Sequence, residues 1–267
     1  MTAAATAGFI PTIVVYVSRD RVRAFARDLF PRKRWRLVLS HTPAETAAVF
    51  RENLVDAAIV DAGHSDESTW QAASLAAEFP SVPFFGLFPL RAGDAAAFTR
   101  CISAGFVDAL IEGVDDPVAR QLVTARSFSS RFRRALSQPP ESLGLNTPLQ
   151  RDAWQVIVSH AGTPVTTASL AASLGLSREH LSRKFATAGA PNLKRIIDLV
   201  RLIAAAELAK NPGYDVRDVA RVLGFASSSH LAVAASRISG TRPASLARLR
   251  TVDLIERFAQ GRTRSRG

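Results

Sequence analysis

A single cysteine in 267 residues excludes an intrachain disulfide and any cysteine-built metal cluster. Cys101 reads as a small apolar filler inside a helix, and its isolation fits a reducing, cytoplasmic compartment. No stretch approaches the ~18 uninterrupted apolar residues of a membrane span, so no membrane partner is expected. Residues Met1 to Pro11 lack the basic start and long apolar core of a secretory signal. A Gly-rich phosphate loop, a P-loop, a His-Glu-x-x-His helix and a nucleophile elbow are also missing. An enzyme is therefore not expected, and neither are catalytic residues, metal ligands or cofactors. Acidic residues are scarce in one half only. Residues 148–267 hold 18 Lys+Arg against 8 Asp+Glu, a net of +10, whereas residues 1–147 hold 16 and 15, a net of +1. Positive charge gathered in one half is the footprint of a polyanionic partner.

What is present has ordinary globular proportions, 47% hydrophobic and 21% charged, at a length that suits two domains. The first half alternates apolar strands with amphipathic helices. Strands are expected at Ile13–Val17, Arg36–Leu39, Ala57–Val60, Val82–Phe88 and Phe106–Ile111. Helices are expected at Arg19–Phe30, Pro43–Glu52, Ser68–Phe79 and Asp94–Ser103, with a last long one from Asp116 to Leu136. Five βα units predict a doubly wound, five-stranded parallel α/β sheet over residues 1–136, because right-handed crossovers place helices on both faces. Residues 137–147, rich in Pro, Ser and Gly, form a linker. Beyond it the pattern is helical only. Helices are expected at Pro148–His160, Thr167–Leu174, Ser177–Phe185, Asn192–Lys210, Val216–Leu223 and Ser227–Ser239. An all-α domain is thus placed at 148–250, and a terminal helix, beginning near Pro243, with a basic tail at 251–267. The tail from Arg262 onward is expected to be unstructured.

Two stretches of the helical half repeat. Ala171-x3-Gly175-x-Ser177-x3-Leu181 and Ala220-x3-Gly224-Phe225, followed by Leu231, place their glycines 49 residues apart. Each has helix-turn-helix spacing. A small Ala lets two helices approach, Gly supplies a turn position with positive φ, and Leu docks the second helix on the first. Double-stranded DNA is therefore the expected partner. In the first hairpin Leu181 and Phe185 anchor the helix and leave Arg178, Glu179, Ser182 and Arg183 for the groove. Arg183 can donate two parallel bonds to guanine, and Glu179 can accept from cytosine. A spacer of roughly 19 residues, at about 1.5 Å per residue, spans roughly 28 Å. That can hold two recognition helices about one DNA turn apart.

Over about 100 residues, from Trp154 to Arg250, these motifs resemble the AraC/XylS-type transcription regulators. The matching runs are Leu170-Ala-x-x-Leu174-Gly-x-Ser177-x3-Leu181-Ser-Arg-x-Phe185 and Arg201-Leu-x2-Ala205-x2-Leu208-Ala209. A third is Val219-Ala-x-x-Leu223-Gly-Phe225-x-Ser227-Ser-Ser-His230-Leu231, followed by Gly240-Thr-x-Pro243. The resemblance implies base-reading positions at Glu179, Ser182 and Arg183, and at Ser228, Ser229, His230 and Val233. Ala235 and Ser236 stand where family members usually carry an aromatic and a basic residue, and Val233 where many carry Arg. The second hairpin is therefore expected to act mainly on phosphates.

The first half resembles the receiver domain of response regulators, with Asp61 at the phosphoacceptor position. Receivers hold Mg²⁺ with an acidic pair after the first strand. Here those positions are Ser18 and Arg19, with only Asp20 acidic. Phe88 replaces the expected hydroxyl, and Glu112-Gly113 the expected Lys-Pro. The implied domain is a degenerate, non-phosphorylated pseudo-receiver in which Arg19 can pair with Asp61. Its expected role is homodimerisation or the sensing of a partner or small ligand, with RNA polymerase a further candidate partner of the whole regulator. Two other readings compete: a protein-binding adaptor whose DNA contacts have decayed, and a cofactor-binding enzyme of flavodoxin-like fold.

Overall fold

The computed structural model describes residues 9–64, 66–89, 91–187 and 189–264. The readings made on residues 1–8 and 265–267, at the N-terminus and in the basic tail, lie outside the described residues. Two compact units form, one of Ile10–Arg131 with Asn211–Asp218, the other of Phe132–Lys210 with the chain from Val219 onward.

The first unit is built on strands β1 (Thr12–Tyr16), β2 (Arg36–Ser40), β3 (Val55–Asp61), β4 (Phe84–Phe88) and β5 (Asp108–Ile111). All neighbours pair in parallel, in the order β2-β1-β3-β4-β5. That is the doubly wound, flavodoxin- and receiver-like order, with its switch point between β1 and β3. Every residue of β1, β3 and β4 is buried, because crossover helices cover both faces of the sheet. The crossovers are α1 (Asp20–Leu29), α2 (Pro43–Glu52), α3 (Glu67–Glu78) and α4 (Ala95–Ser103), and α5 (Asp116–Arg126) follows the last strand. Ile13, Val15, Ile59, Phe85 and Leu87 from the sheet meet Val22, Ala26, Leu29, Ala119 and Val123 from α1 and α5 in one core.

The helix expected from Asp116 to Leu136 is two helices. It breaks at Ser127, where ψ turns to 153°, and resumes as α6 (Phe128–Ala135). Asp56, fully buried in β3, accepts from Ser129 N at 3.0 Å and from Thr12 N at 3.0 Å. Its carboxylate thus satisfies an amide in the first turn of α6, and the apolar spacing that runs through the break hides this.

The second unit is helical: α7 (Pro148–Ser159), α8 (Thr167–Ser173), α9 (Arg178–Phe185), α10 (Leu193–Leu208), the part of α11 (Val216–Val222) from Val219 onward, α12 (Ser228–Ser239) and α13 (Thr251–Arg264). The helix expected to begin near Pro243 is a 3₁₀ turn over Pro243–Arg248, and α13 follows it. Because α13 runs to Arg264, the tail is helical for two residues past Arg262, where it was expected to be unstructured. Leu143 and Leu145 of the linker are buried. Trp154 donates from Nε1 to Leu136 O at 2.8 Å, and buried Gln150 donates to Phe185 O at 2.8 Å. Gln150 thereby satisfies a terminal carbonyl of α9 and fixes the first hairpin from beneath.

Gly175 and Gly224 both sit in the left-handed region, at φ +67° and +63°. A Cβ on Gly175 meets open space, whereas one on Gly224 lands 2.4 Å from Pro164 Cγ. Gly175→Ala is therefore expected to cost about 1 kcal/mol, from backbone strain alone. Gly224→Ala should lose at least about 1 kcal/mol more through overlap. Urea unfolding of the two variants checks this, and equal losses would show that Pro164 simply gives way.

Candidate nucleic-acid interface and the Asp61 pocket

The first hairpin is α8, a turn through Gly175, and α9. Ser177 caps α9 by accepting from His180 N at 3.2 Å. Leu181 and Phe185 are fully buried, so helical spacing leaves Arg178, Glu179, Ser182 and Arg183 exposed together, as expected. Lys184 joins them on the exposed side. The spacer α10 is capped by Asn192, which accepts from Lys194 N at 2.8 Å. It has 16 residues, about 24 Å of helix at 1.5 Å per residue. Asn192 as N-cap, and Ala209 and Lys210 past the last turn, account for the residues counted in the longer expectation.

The second hairpin is α11, a turn through Gly224, and α12. Ser227 caps α12 by accepting from His230 N at 3.1 Å. Ser229 and His230 are exposed, Ser228 is half-buried, and Val233 is 61% exposed. The run Ala232–Ala235 is not an apolar outer face, because Ala234 and Ala235 point into the core. The outward positions continue instead through Ser236 and Arg237. Arg237 went unnoticed in the sequence, although it lies one helical turn beyond Val233. Its guanidinium is paired with Asp198 of α10.

Asp61 ends β3 with its side chain fully buried. Its Oδ2 accepts from Ser18 Oγ at 2.7 Å, Ser18 N at 3.2 Å and Arg19 N at 2.9 Å. Its Oδ1 accepts from Arg19 Nε at 2.8 Å and Nη2 at 2.5 Å. Arg19 Nη2 also pairs with Glu112, whose side chain is 6% exposed. A Cβ on Gly63 would lie 2.9 Å from Arg19 Nη2 and 2.4 Å from Pro89 Cδ, so glycine there keeps the guanidinium's space. Burial alone would pull the Arg19 pKa down, but the hydrogen bonds and charges of Asp61 and Glu112 hold it above the usual arginine value.

Of the pocket residues expected from the sequence, Ser18, Arg19, Asp61 and Glu112 come together, and two do not. Asp20 opens α1 with its carboxylate in solvent, 3.7 Å from Arg23, where a helix N-terminus favours an acid. Phe88 is buried against Phe98, with ring centroids 6.0 Å apart. The residues do not fit a receiver's Mg²⁺, because the Arg19 guanidinium already occupies the two carboxylates that remain. Among the described residues, no group of three His, Cys, Asp or Glu side chains is placed to hold a metal.

Residues 170–248 match the family model described as "Helix-turn-helix domain". No curated protein matches the chain. Several solved structures are similar. Full-length FixJ from B. japonicum is 14% identical at TM-score 0.38, over 86% of this chain and 96% of that one. The response regulator StyR is 16% identical at TM-score 0.39, over 71% and 98%. A response regulator from Burkholderia pseudomallei with a phosphorylated aspartic acid is 16% identical at TM-score 0.35, over 66% and 99%. The receiver-like assignment stands on strand order rather than on these superpositions. No helix among the described residues is long and apolar enough to cross a membrane. Residues 170–248 thus form a helix-turn-helix domain of AraC type, and a receiver-like α/β domain precedes it.

Proposed function

We propose that the protein is a cytoplasmic transcription regulator that reads adjacent major-groove segments of double-stranded DNA with α9 and α12. The observation that carries this reading is the exposed polar face of α9, Arg178, Glu179, Ser182 and Arg183, in a half of the chain with net charge +10. The adaptor reading weakens because Ala235, which stands where family members usually carry an aromatic residue, is a core residue rather than a lost DNA contact. Selection of duplexes from a random pool with the full chain tests the proposal. An enriched motif supports it, and a pool that stays random after several rounds defeats it.

The N-terminal domain is a pseudo-receiver in this proposal, working without phosphorylation. Phosphoryl transfer to Asp61 needs a free carboxylate and a metal to neutralise the incoming oxygens. Arg19 occupies the carboxylate instead. Incubation with acetyl phosphate and Mg²⁺ should leave the intact mass unchanged, and a stoichiometric phosphoryl adduct would refute the assignment. Self-association through this domain is supported by its exposed apolar residues. Phe98 and Ile102 of α4, Val107 and Val114 beside β5, and Val118 of α5 all lie between positions 98 and 118. Exposed apolar residues gathered in one stretch of the chain support an interaction surface there.

A further inference from the structure

The spacer helix α10 grips the second hairpin with two polar side chains one turn apart. Arg201 Nε donates to Leu223 O, just past the end of α11, at 2.9 Å. The same guanidinium lies 3.8 Å from the centroid of the Phe225 ring. Three residues earlier, Asp198 pairs with Arg237 of α12. The buried remainder of α10, including Leu199, Leu202, Ile203 and Ala205, is aliphatic. Aliphatic packing holds two helices together but is non-directional. Direction comes from the polar contacts. They continue outward, because Phe225 meets the His230 ring edge-on at 6.1 Å and 77°. A line of contacts thus runs from the spacer, through the turn, to an exposed residue of the second recognition helix.

Arg201 is an expensive way to fill this place. Its Nη2 is buried and makes no hydrogen bond among the described residues. Burial pulls its pKa down, with Asp198 opposing only in part. An aliphatic side chain of similar volume would pack here without that desolvation cost. What it would not supply is a planar, forked group that both stacks and donates.

We infer that Arg201 is a positioning residue that fixes the rotation of the second hairpin on α10, and with it the spacing at which α12 meets the duplex relative to α9. The inference rests on the DNA-binding reading. It requires no base contact by Arg201 itself. Shifting the second segment by one base pair rotates it about a tenth of a turn around the duplex, so a fixed hairpin must discriminate between spacings.

The test uses the full chain and its selected two-segment duplex, remade with one or two base pairs added or removed between the segments. Arg201→Lys keeps the charge but loses the plane and the fork. The wild type should bind one spacing sharply. In Arg201→Lys the preference for that spacing over one-base-pair shifts should fall about tenfold, as expected for a stacking contact and one charge-assisted hydrogen bond. Base preference in the segment read by α9 should not change. Phe225→Leu should flatten the spacing profile in the same way, which guards against one variant folding poorly. A wild-type spacing profile in both variants overturns the inference. So does binding that weakens equally at every spacing, as mere destabilisation would produce. A selected site whose second segment shows no base preference, not even the weak thymine preference open to exposed Val233, also overturns it. If the wild type selects no sequence at all, the DNA-binding reading itself fails.

Discussion

Arg19→Met is expected to cost about 3–5 kcal/mol of stability, because it strips the counter-charge from buried carboxylates. The Asp61 side chain is fully buried, Glu112 is 6% exposed, and the Arg19 side chain that joins them is 18% exposed. Methionine keeps much of the stem's volume, so the loss reports charge rather than a cavity. The amides of Ser18 and Arg19 and the Ser18 hydroxyl still donate to Asp61 in the variant. They supply dipoles and no net charge. Arg21 Nε lies 3.7 Å from Glu112, but its side chain is 80% exposed and screened by solvent. Adding Asp61→Asn to Arg19→Met should restore part of the stability, since the more deeply buried of the two carboxylates left without Arg19 is then uncharged. Urea unfolding of the wild type, both single variants and the double variant gives the coupling directly. A loss below about 1 kcal/mol in Arg19→Met, the size of a surface pair, would show that the guanidinium is not the pocket's working counter-ion.

That pairing was legible in the sequence because it is set by topology. β1 and β3 pair in parallel, Tyr16 with Val60, so the residues that follow their carboxyl ends must meet. The strands were legible for a similar reason: runs such as Thr12–Tyr16 and Val55–Asp61 are buried on both faces and so are apolar almost throughout. The break at Ser127 was not legible, because it depends on Asp56, whose bond to Ser129 spans 73 residues. Asp20 was placed in the pocket by its proximity to Arg19, yet one residue along a helix start turns a side chain about 100° away. In α12 a run of small apolar residues looked like one outer face. Only the helix phase separates Ala234 and Ala235, which pack inward, from Val233 and Arg237, which do not. Local patterns yielded elements and hairpins, and topology yielded the Arg19–Asp61 pair, whereas the partners of buried Asp56 and Gln150 came only with the tertiary structure.

Duplex binding by the full chain is expected to fall steeply with salt and to read bases mainly through α9. A protein that neutralises six or more phosphates loses roughly a thousandfold in affinity between about 50 and 200 mM salt, through counterion release. A flat salt profile would remove phosphate contacts from the account altogether. On α9, Arg183 is exposed and makes no ion pair among the described residues, so it is available for a bidentate contact to guanine. Arg183→Ala should cost about 1–3 kcal/mol and relax preference at one base pair. Glu179→Ala should relax a neighbouring position, because the two residues lie one helical turn apart on the same exposed face. On α12 the side chains facing outward are Ser229, His230, Val233, Ser236 and Arg237. The long cationic one among them, Arg237, is already engaged by Asp198. A short hydroxyl, a histidine and a valine suit a phosphate or a thymine methyl better than a bidentate base pair. His230→Ala should therefore weaken binding evenly across a base-substituted operator library, whereas Glu179→Ala should reorder it. If His230→Ala reorders the library as strongly as Glu179→Ala, the two hairpins share base reading, and Val233 and His230 together take the place assigned here to α9 alone.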